Sequence, residues 1–233
     1  MYSFDKNLVD ILLENNPLNG DISGECFHCF YSKAEKRKYT KGQTIISNVK
    51  KKNGLFFILS GLVKVVMQDE NGHELIINLK KKGETFVHNY LLNNEISKYT
   101  YSAKMIKEGE VIYINTDFVK EEIKKCPMLA DGLLKVMSKQ IEELSSNLFE
   151  MAYLTIFSKT IKTLEKLAER FGIRTLDEIY IDIPITTQEF AEIVGASRES
   201  ISRVFSELKK NSLIKIREKK IIITDYDTFI SLL

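Results

Sequence analysis

The sequence predicts an α+β chain laid out in three successive parts: a β-rich N-terminal domain, a long amphipathic helix, and a C-terminal winged helix-turn-helix. Three observations carry this. From about residue 36 to 115, short segments rich in β-branched and aromatic residues alternate with glycine-bearing turns, the pattern of a β-sandwich or jelly roll. Leu134, Met137, Ile141, Leu144, Leu148 and Met151 then step by three and four, a heptad seam on one helix face. Finally, Thr186 to Asn211 parses as two short helices broken at Gly195. The expected division is 1–126 for the β domain with its N-terminal helices, 127–155 for the long helix, and 156–233 for the C-terminal domain.

The chain has 233 residues, of which 44% are hydrophobic, enough to bury a substantial core in one or two domains. No apolar run approaches 18 residues, and Met1 to Asn16 lacks the basic start and apolar core of a signal peptide. A cytoplasmic protein without a membrane partner is therefore expected. The formal net charge of +2 says nothing about nucleic acid, but its distribution does. Arg198, Arg203, Lys209, Lys210, Lys215, Arg217, Lys219 and Lys220 face only Glu199, Glu207 and Glu218 in the sequence around them. Such a local basic patch is the electrostatic footprint of a DNA-contact surface.

Along the chain, Phe4, Leu8, Ile11 and Leu12 have helical spacing, a turn follows at Pro17 to Gly20, and Cys26-Phe27-His28-Cys29 opens a further short helix. Strands are expected in YTKGQTIIS, LFFILSGLVKVVMQ, ELIINLK, YTYSAKMIK and EVIYIN. Thr116 or Asp117 caps a helix ending before Cys126-Pro127, and the heptad helix comes next, with Leu133, Val136 and Phe149 beside its seam. That helix either pairs with a second copy or lies on the β domain; a two-fold operator favours the pair. Thr155-Ile156 marks a hinge before a helix from Ser158 to Arg170, closed by Gly172.

The last third is the most legible. Thr186 and Glu189 have capping-box spacing, and Phe190, Ile193 and Val194 supply an apolar face, with Ala191 allowing close packing. Gly195 provides a left-handed turn, Ser197 caps the second helix, and Ile201, Val204, Phe205 and Leu208 form its buried side. Arg198, Glu199, Ser202 and Arg203 then occupy neighbouring positions on the exposed side. Arginine suits guanine N7 and O6, and glutamate accepts from cytosine N4. The alternative is a solvated face with a Glu199–Arg203 ion pair. Phosphate anchors are expected at Thr187, Gln188, Ser197 and Ser200, near helix starts, and at Lys219 and Lys220. LIKIREKKIIITDYDTF folds as a hairpin turning near Glu218-Lys219, which makes the domain winged, with Ile221, Ile222 and Ile223 supplying its core.

SRESISR after an IVGA turn resembles the recognition helix of the Crp/Fnr family of bacterial transcription regulators. Arg198, Glu199 and Arg203 match the R-E-x-x-x-R arrangement of the cyclic-AMP receptor branch; Glu199, Ser202 and Arg203 match the E-x-x-S-R arrangement of the fumarate–nitrate branch. LFFILSGLVKVV followed by DENGHELIINLKKKGETF resembles the family's effector-binding β-roll. The resemblance implies a double-stranded β-helix (jelly-roll, cyclic-nucleotide-binding-like) sensor, a dimerisation helix, and a homodimer binding double-stranded DNA at a pseudo-palindromic operator. It further implies an allosteric small-molecule or redox effector and RNA polymerase as a further partner.

Effector chemistry is thinner. In the resemblance, Val87-His88 or His88-Asn89 falls where cyclic-AMP binders carry Gly-Glu, and Tyr101 stands before Ser102-Ala103 where they carry arginine. Tyrosine cannot replace a cationic clamp on a phosphate, which argues against a cyclic nucleotide. His88, Asn89, Tyr90, Tyr101 and Ser102 are the candidate effector-pocket residues, with core filling by the tyrosines the alternative. Cys26, Cys29 and Cys126 are candidate redox residues, but four thiolates are needed for a cluster and the chain has three cysteines; ordinary cytosolic thiols are the alternative. No cofactor follows from these residues. The rivals are a metal-dependent cupin-like enzyme, for which three scattered histidines provide no ligand set, and a DNA-free ligand-binding dimer, which leaves the basic helix unexplained.

Overall fold

The computed structural model describes residues 33–47, 54–87, 100–175, 178–217 and 220–232. The expected N-terminal helix, the turn at Pro17 and the Cys26–Cys29 segment lie outside them. The chain forms two compact units, Met1–Glu143 and Leu144–Leu233.

In the first unit, eight strands build two four-stranded sheets. They are β1 (Glu35–Tyr39), β2 (Thr44–Ser47), β3 (Gly54–Ile58), β4 (Leu62–Gln68), β5 (Glu74–Lys81), β6 (Thr85–Val87), β7 (Thr100–Lys107) and β8 (Gly109–Asn115). The sheet orders are β1-β8-β3-β6 and β2-β7-β4-β5, and neighbouring strands pair antiparallel. This is the expected jelly roll. Its core joins Tyr39, Phe56, Ile58, Phe86, Val111 and Tyr113 of one sheet to Ile45, Ile46, Val63, Ala103 and Met105 of the other.

The unbroken apolar run at Leu55 to Leu59 has a specific cause. Period-two alternation sends Phe56 and Ile58 into the jelly-roll core, while Leu55, Phe57 and Leu59 face a second cluster. That cluster is closed by Val119 of α1 (Thr116–Lys125) and by Leu129 and Leu133 of α2 (Pro127–Tyr153). Both faces of β3 are buried, so it shows no polar alternation. The turn into β4 requires Gly61, at φ 89°, because a Cβ there would lie 2.6 Å from the Lys107 carbonyl oxygen.

Two expectations need correcting in this unit. The cap of α1 is Asn115, not Thr116 or Asp117: the Asn115 side chain accepts from the Asp117 amide at 2.7 Å, and Thr116 is buried inside the first turn. Strands β1 (but for Tyr39) and β6 lie outside the expected segments: Glu35-Lys36-Arg37-Lys38 carries no apolar alternation, and the three residues of β6 are too few to display one.

Helix α2 sorts its apolar residues by face. Leu129 and Leu133 are buried and Val136 half-buried against the second cluster, whereas Leu134, Ile141 and Leu148 are exposed at 61%, 62% and 70%.

The second unit opens with the end of α2. Thr155 then caps α3 (Ile156–Phe171), accepting from Ser158 N at 3.1 Å, so that helix starts two residues before the expected Ser158. From Gly172 follow two strands that the sequence does not predict, β9 (Gly172–Arg174) and β10 (Ile179–Ile181). Then come α4 (Thr187–Val194), α5 (Arg198–Lys210), the hairpin β11 (Ile214–Arg217) and β12 (Lys220–Ile223), and a short α6 (Tyr226–Ile230), also unread. The sheet order is β11-β12-β10-β9. Ile161, Leu164 and Leu167 of α3, Ile179 and Ile181 of β10, Ile221 to Ile223 of β12 and Phe229 of α6 are all buried.

Candidate nucleic-acid interface

The helix pair is built by local chemistry at both starts and at the turn. Thr186 and Glu189 form a complete capping box: the Thr186 hydroxyl accepts from Glu189 N at 3.1 Å, and the Glu189 carboxylate accepts from Thr186 N at 3.1 Å. Gly195, at φ 69° and ψ 42°, makes the left-handed turn. Ser197 then caps α5 by accepting from Ser200 N at 3.2 Å. The Phe190 and Phe205 rings meet across the pair at 4.9 Å between centroids, tilted by 58°.

Ile201, Val204, Phe205 and Leu208 are buried, as the spacing predicts. Ile193 is only half-buried. At about 100° per residue, Phe190, Ala191 and Val194 share one arc of α4 and Ile193 falls beyond its edge.

The opposite side of α5 is open. Arg198, Glu199, Ser202 and Arg203 are exposed, and Glu199 and Arg203 make no ion pair with each other. The alternative of a self-neutralised helix face is thus not adopted. The expected phosphate anchors are more engaged. Gln188 donates to Glu192 at 3.0 Å, and the hydroxyls of Ser197 and Ser200 lie 3.0 Å apart within the cap. Thr187 is half-buried in the first turn of α4.

In the wing, β11 and β12 pair antiparallel from Ile214↔Ile223 to Arg217↔Lys220. Lys219 itself lies outside the described residues. Lys215 Nζ is 2.9 Å from the Glu178 carboxylate, and Lys220 Nζ is 2.6 Å from that of Asp182. The basic patch is therefore less one-sided than its local sequence suggests, because β10 brings two acids to the hairpin. Their signal was the strict alternation Glu178-Ile179-Tyr180-Ile181-Asp182, a strand pattern hidden between two helices.

On the sensor side, His88, Asn89 and Tyr90 lie outside the described residues. Tyr101 and Ser102 of β7 are both buried but, as consecutive strand residues, point to opposite faces. Tyr101 shares its face with the core residues Ala103 and Met105, and burial pushes its phenol well above the ordinary value. Cys126 is a buried member of the second cluster; Cys26 and Cys29 are not among the described residues.

Comparison with known proteins agrees with this geometry. Residues 158–231 match the model of the Crp-like helix-turn-helix domain, and residues 36–126 that of the cyclic nucleotide-binding domain. The anaerobic regulatory protein of Bacillus subtilis is 28% identical over 217 residues, 92% of this chain and 91% of that one. The cAMP-activated global transcriptional regulator Vfr of Pseudomonas aeruginosa is 28% identical over 198 residues, 84% and 90% of the two chains. The c-di-GMP-responsive global regulator CLP of Xanthomonas campestris superposes with a TM-score of 0.75 at 18% identity, covering 87% of this chain and 99% of that one. These relatives are transcription regulators rather than enzymes. With a jelly roll, a winged helix-turn-helix and both domain models in this order, the chain belongs to the Crp/Fnr family of DNA-binding transcription regulators.

Proposed function

We propose that the protein is a cytoplasmic homodimer that binds a pseudo-palindromic operator in double-stranded DNA and is switched by an effector acting through the jelly roll. The observation that carries this reading is the open face of α5: Arg198, Glu199, Ser202 and Arg203 stand exposed on a helix whose other side is locked into the domain core. In the proposal, these four read base edges in the major groove. Thr187, Gln188, Ser197 and Ser200 lie near the starts of α4 and α5, where backbone amides also point outward to phosphate; Lys219 and Lys220 serve from the wing.

The dimer is supported by the seam Leu134, Met137, Ile141, Leu144, Leu148 and Met151, a row of large apolar side chains that all remain exposed in the protomer. An effector acts by favouring one arrangement of α2 and the break at Thr155 that follows it. A cyclic nucleotide is disfavoured as that effector: Tyr101, at the position where cyclic-AMP binders carry their phosphate-clamping arginine, is an uncharged phenol facing the core. Contact with RNA polymerase belongs to the same reading.

The test is selection from a randomised duplex pool with reduced protein, followed by affinity measured against salt. Recovery of a two-fold symmetric site supports the reading. Sequence-blind binding that persists when cell extract is added as an effector source, and when the jelly roll is removed by truncation before Pro127 so that α2 and its seam are kept, refutes it.

A further inference from the structure

The acids beside the wing form an ordered row. Glu178, Tyr180 and Asp182 follow each other at two-residue spacing in and around β10, which places them on one face of the sheet. The strand register carries that face to the hairpin. Tyr180 stands opposite Ile222, and Ile222 opposite Lys215. Because Ile181 stands opposite Ile221, Asp182 comes level with Lys220, which itself pairs with Arg217.

The outcome is a sheet face bearing three cations, Lys215, Arg217 and Lys220, and two anions. Glu178 takes Lys215 at 2.9 Å and Asp182 takes Lys220 at 2.6 Å. Glu178 is further oriented by the Tyr180 hydroxyl, which donates to its other oxygen at 2.8 Å. Lys215 first, and Tyr180 second, hold the Glu178 carboxyl below the ordinary carboxylate range. Both lysine side chains are nevertheless nearly half exposed, so the pairs are solvent-screened and open at little cost.

Resting on the DNA-binding reading above, we infer that Glu178 and Asp182 compete with DNA phosphate for Lys215 and Lys220 and thereby set how strongly the wing adds to sequence-independent affinity. Sequence-blind binding is electrostatic and grows with every phosphate a lysine neutralises. A lysine already answered by a carboxylate inside its own domain must exchange partners before it contributes. The two acids keep the hairpin's charge in reserve, while the base-reading face of α5 carries no such internal partner.

The experiment compares the full-length protein with Glu178→Gln, Asp182→Asn and the double variant, on a random-sequence duplex across a salt series, with thermal melts confirming the fold. Each substitution is expected to raise affinity roughly two- to fivefold. The dependence of log affinity on log salt should steepen by up to about 0.9 for each lysine released. Adding Lys215→Gln and Lys220→Gln to the double variant should cancel the gain. Asp131→Asn, which adds the same charge in the other unit, should produce none. Unchanged affinity and slope in folded single variants overturn the inference, as does a gain that survives lysine removal or is matched by Asp131→Asn. Arg203→Ala on the selected operator reports separately on the α5 reading: if that variant binds normally, the interface proposal fails whatever the acids do.

Discussion

Ile141→Asp tests the dimer at the middle of its proposed seam. Ile141 is 62% exposed in the protomer, and complete burial of such a side chain stabilises by about 1.5–3 kcal/mol. The fraction left for a partner to cover is therefore about 1–2 kcal/mol per protomer, or about 2–4 kcal/mol for the two symmetry-related copies. Losing it should raise the dimer Kd roughly 30-fold to nearly 1000-fold, and the desolvation of two aspartates adds to this. The protomer fold should be spared, because an exposed position on a helix tolerates substitution to within about 0.5 kcal/mol. Leu133→Asp, eight residues earlier but buried in the second cluster, should instead destabilise the first unit severely. Sedimentation velocity over a concentration series reads the association, and circular dichroism melts read the fold. A wild-type protein that remains monomeric throughout, or an Ile141→Asp protein that associates as the wild type does, would refute the assignment of this seam.

Further predictions concern the interface, the turn and the core. Arg203→Ala should weaken operator binding by about 1–3 kcal/mol with little change on random duplex; an equal loss on both would make Arg203 a phosphate anchor. Thr186→Ala removes the hydroxyl that accepts from Glu189 N and donates to its carboxylate, and should cost about 1 kcal/mol of stability, seen as a lower denaturation midpoint. Burial raises the folded-state pKa of Tyr101, so its contribution to stability is complete below the phenol's ordinary value near 10 and is lost as pH rises above it. Tyr101→Phe should flatten the alkaline fall in stability; an unchanged profile between pH 9 and about 11 would remove Tyr101 as its source.

Much of the C-terminal unit was legible because its determinants are short-range. The Thr186–Glu189 box, Gly195 and the Ser197 cap each satisfy backbone groups within four residues, so their spacing alone specifies the two helices and the break. The strands of the jelly roll other than β1 and β6 were visible for a similar reason, since alternation and glycine turns are local. Elements too short to show a period were missed: β6, β9 and α6. Strand β10 was missed despite a clear alternation, because the expected helices on either side left it no partner nearby in the sequence.

The sequence by itself determined the order of parts, the helix-turn-helix, and which side chains of α5 are exposed, because these follow from periodicity and capping within single elements. Only the tertiary structure decided the rest. The apolar residues of α2 look alike in sequence, yet contact with β3 and β8 buries Leu129 and Leu133 and leaves Leu134, Ile141 and Leu148 exposed. Tyr101 and Ser102 are neighbours in sequence, but the pleat separates them onto two faces. Glu178 lies 37 residues from Lys215, and only the register of β10, β12 and β11 brings those charges together. Long-range pairing is set by which surfaces close over the core, and no local spacing encodes it.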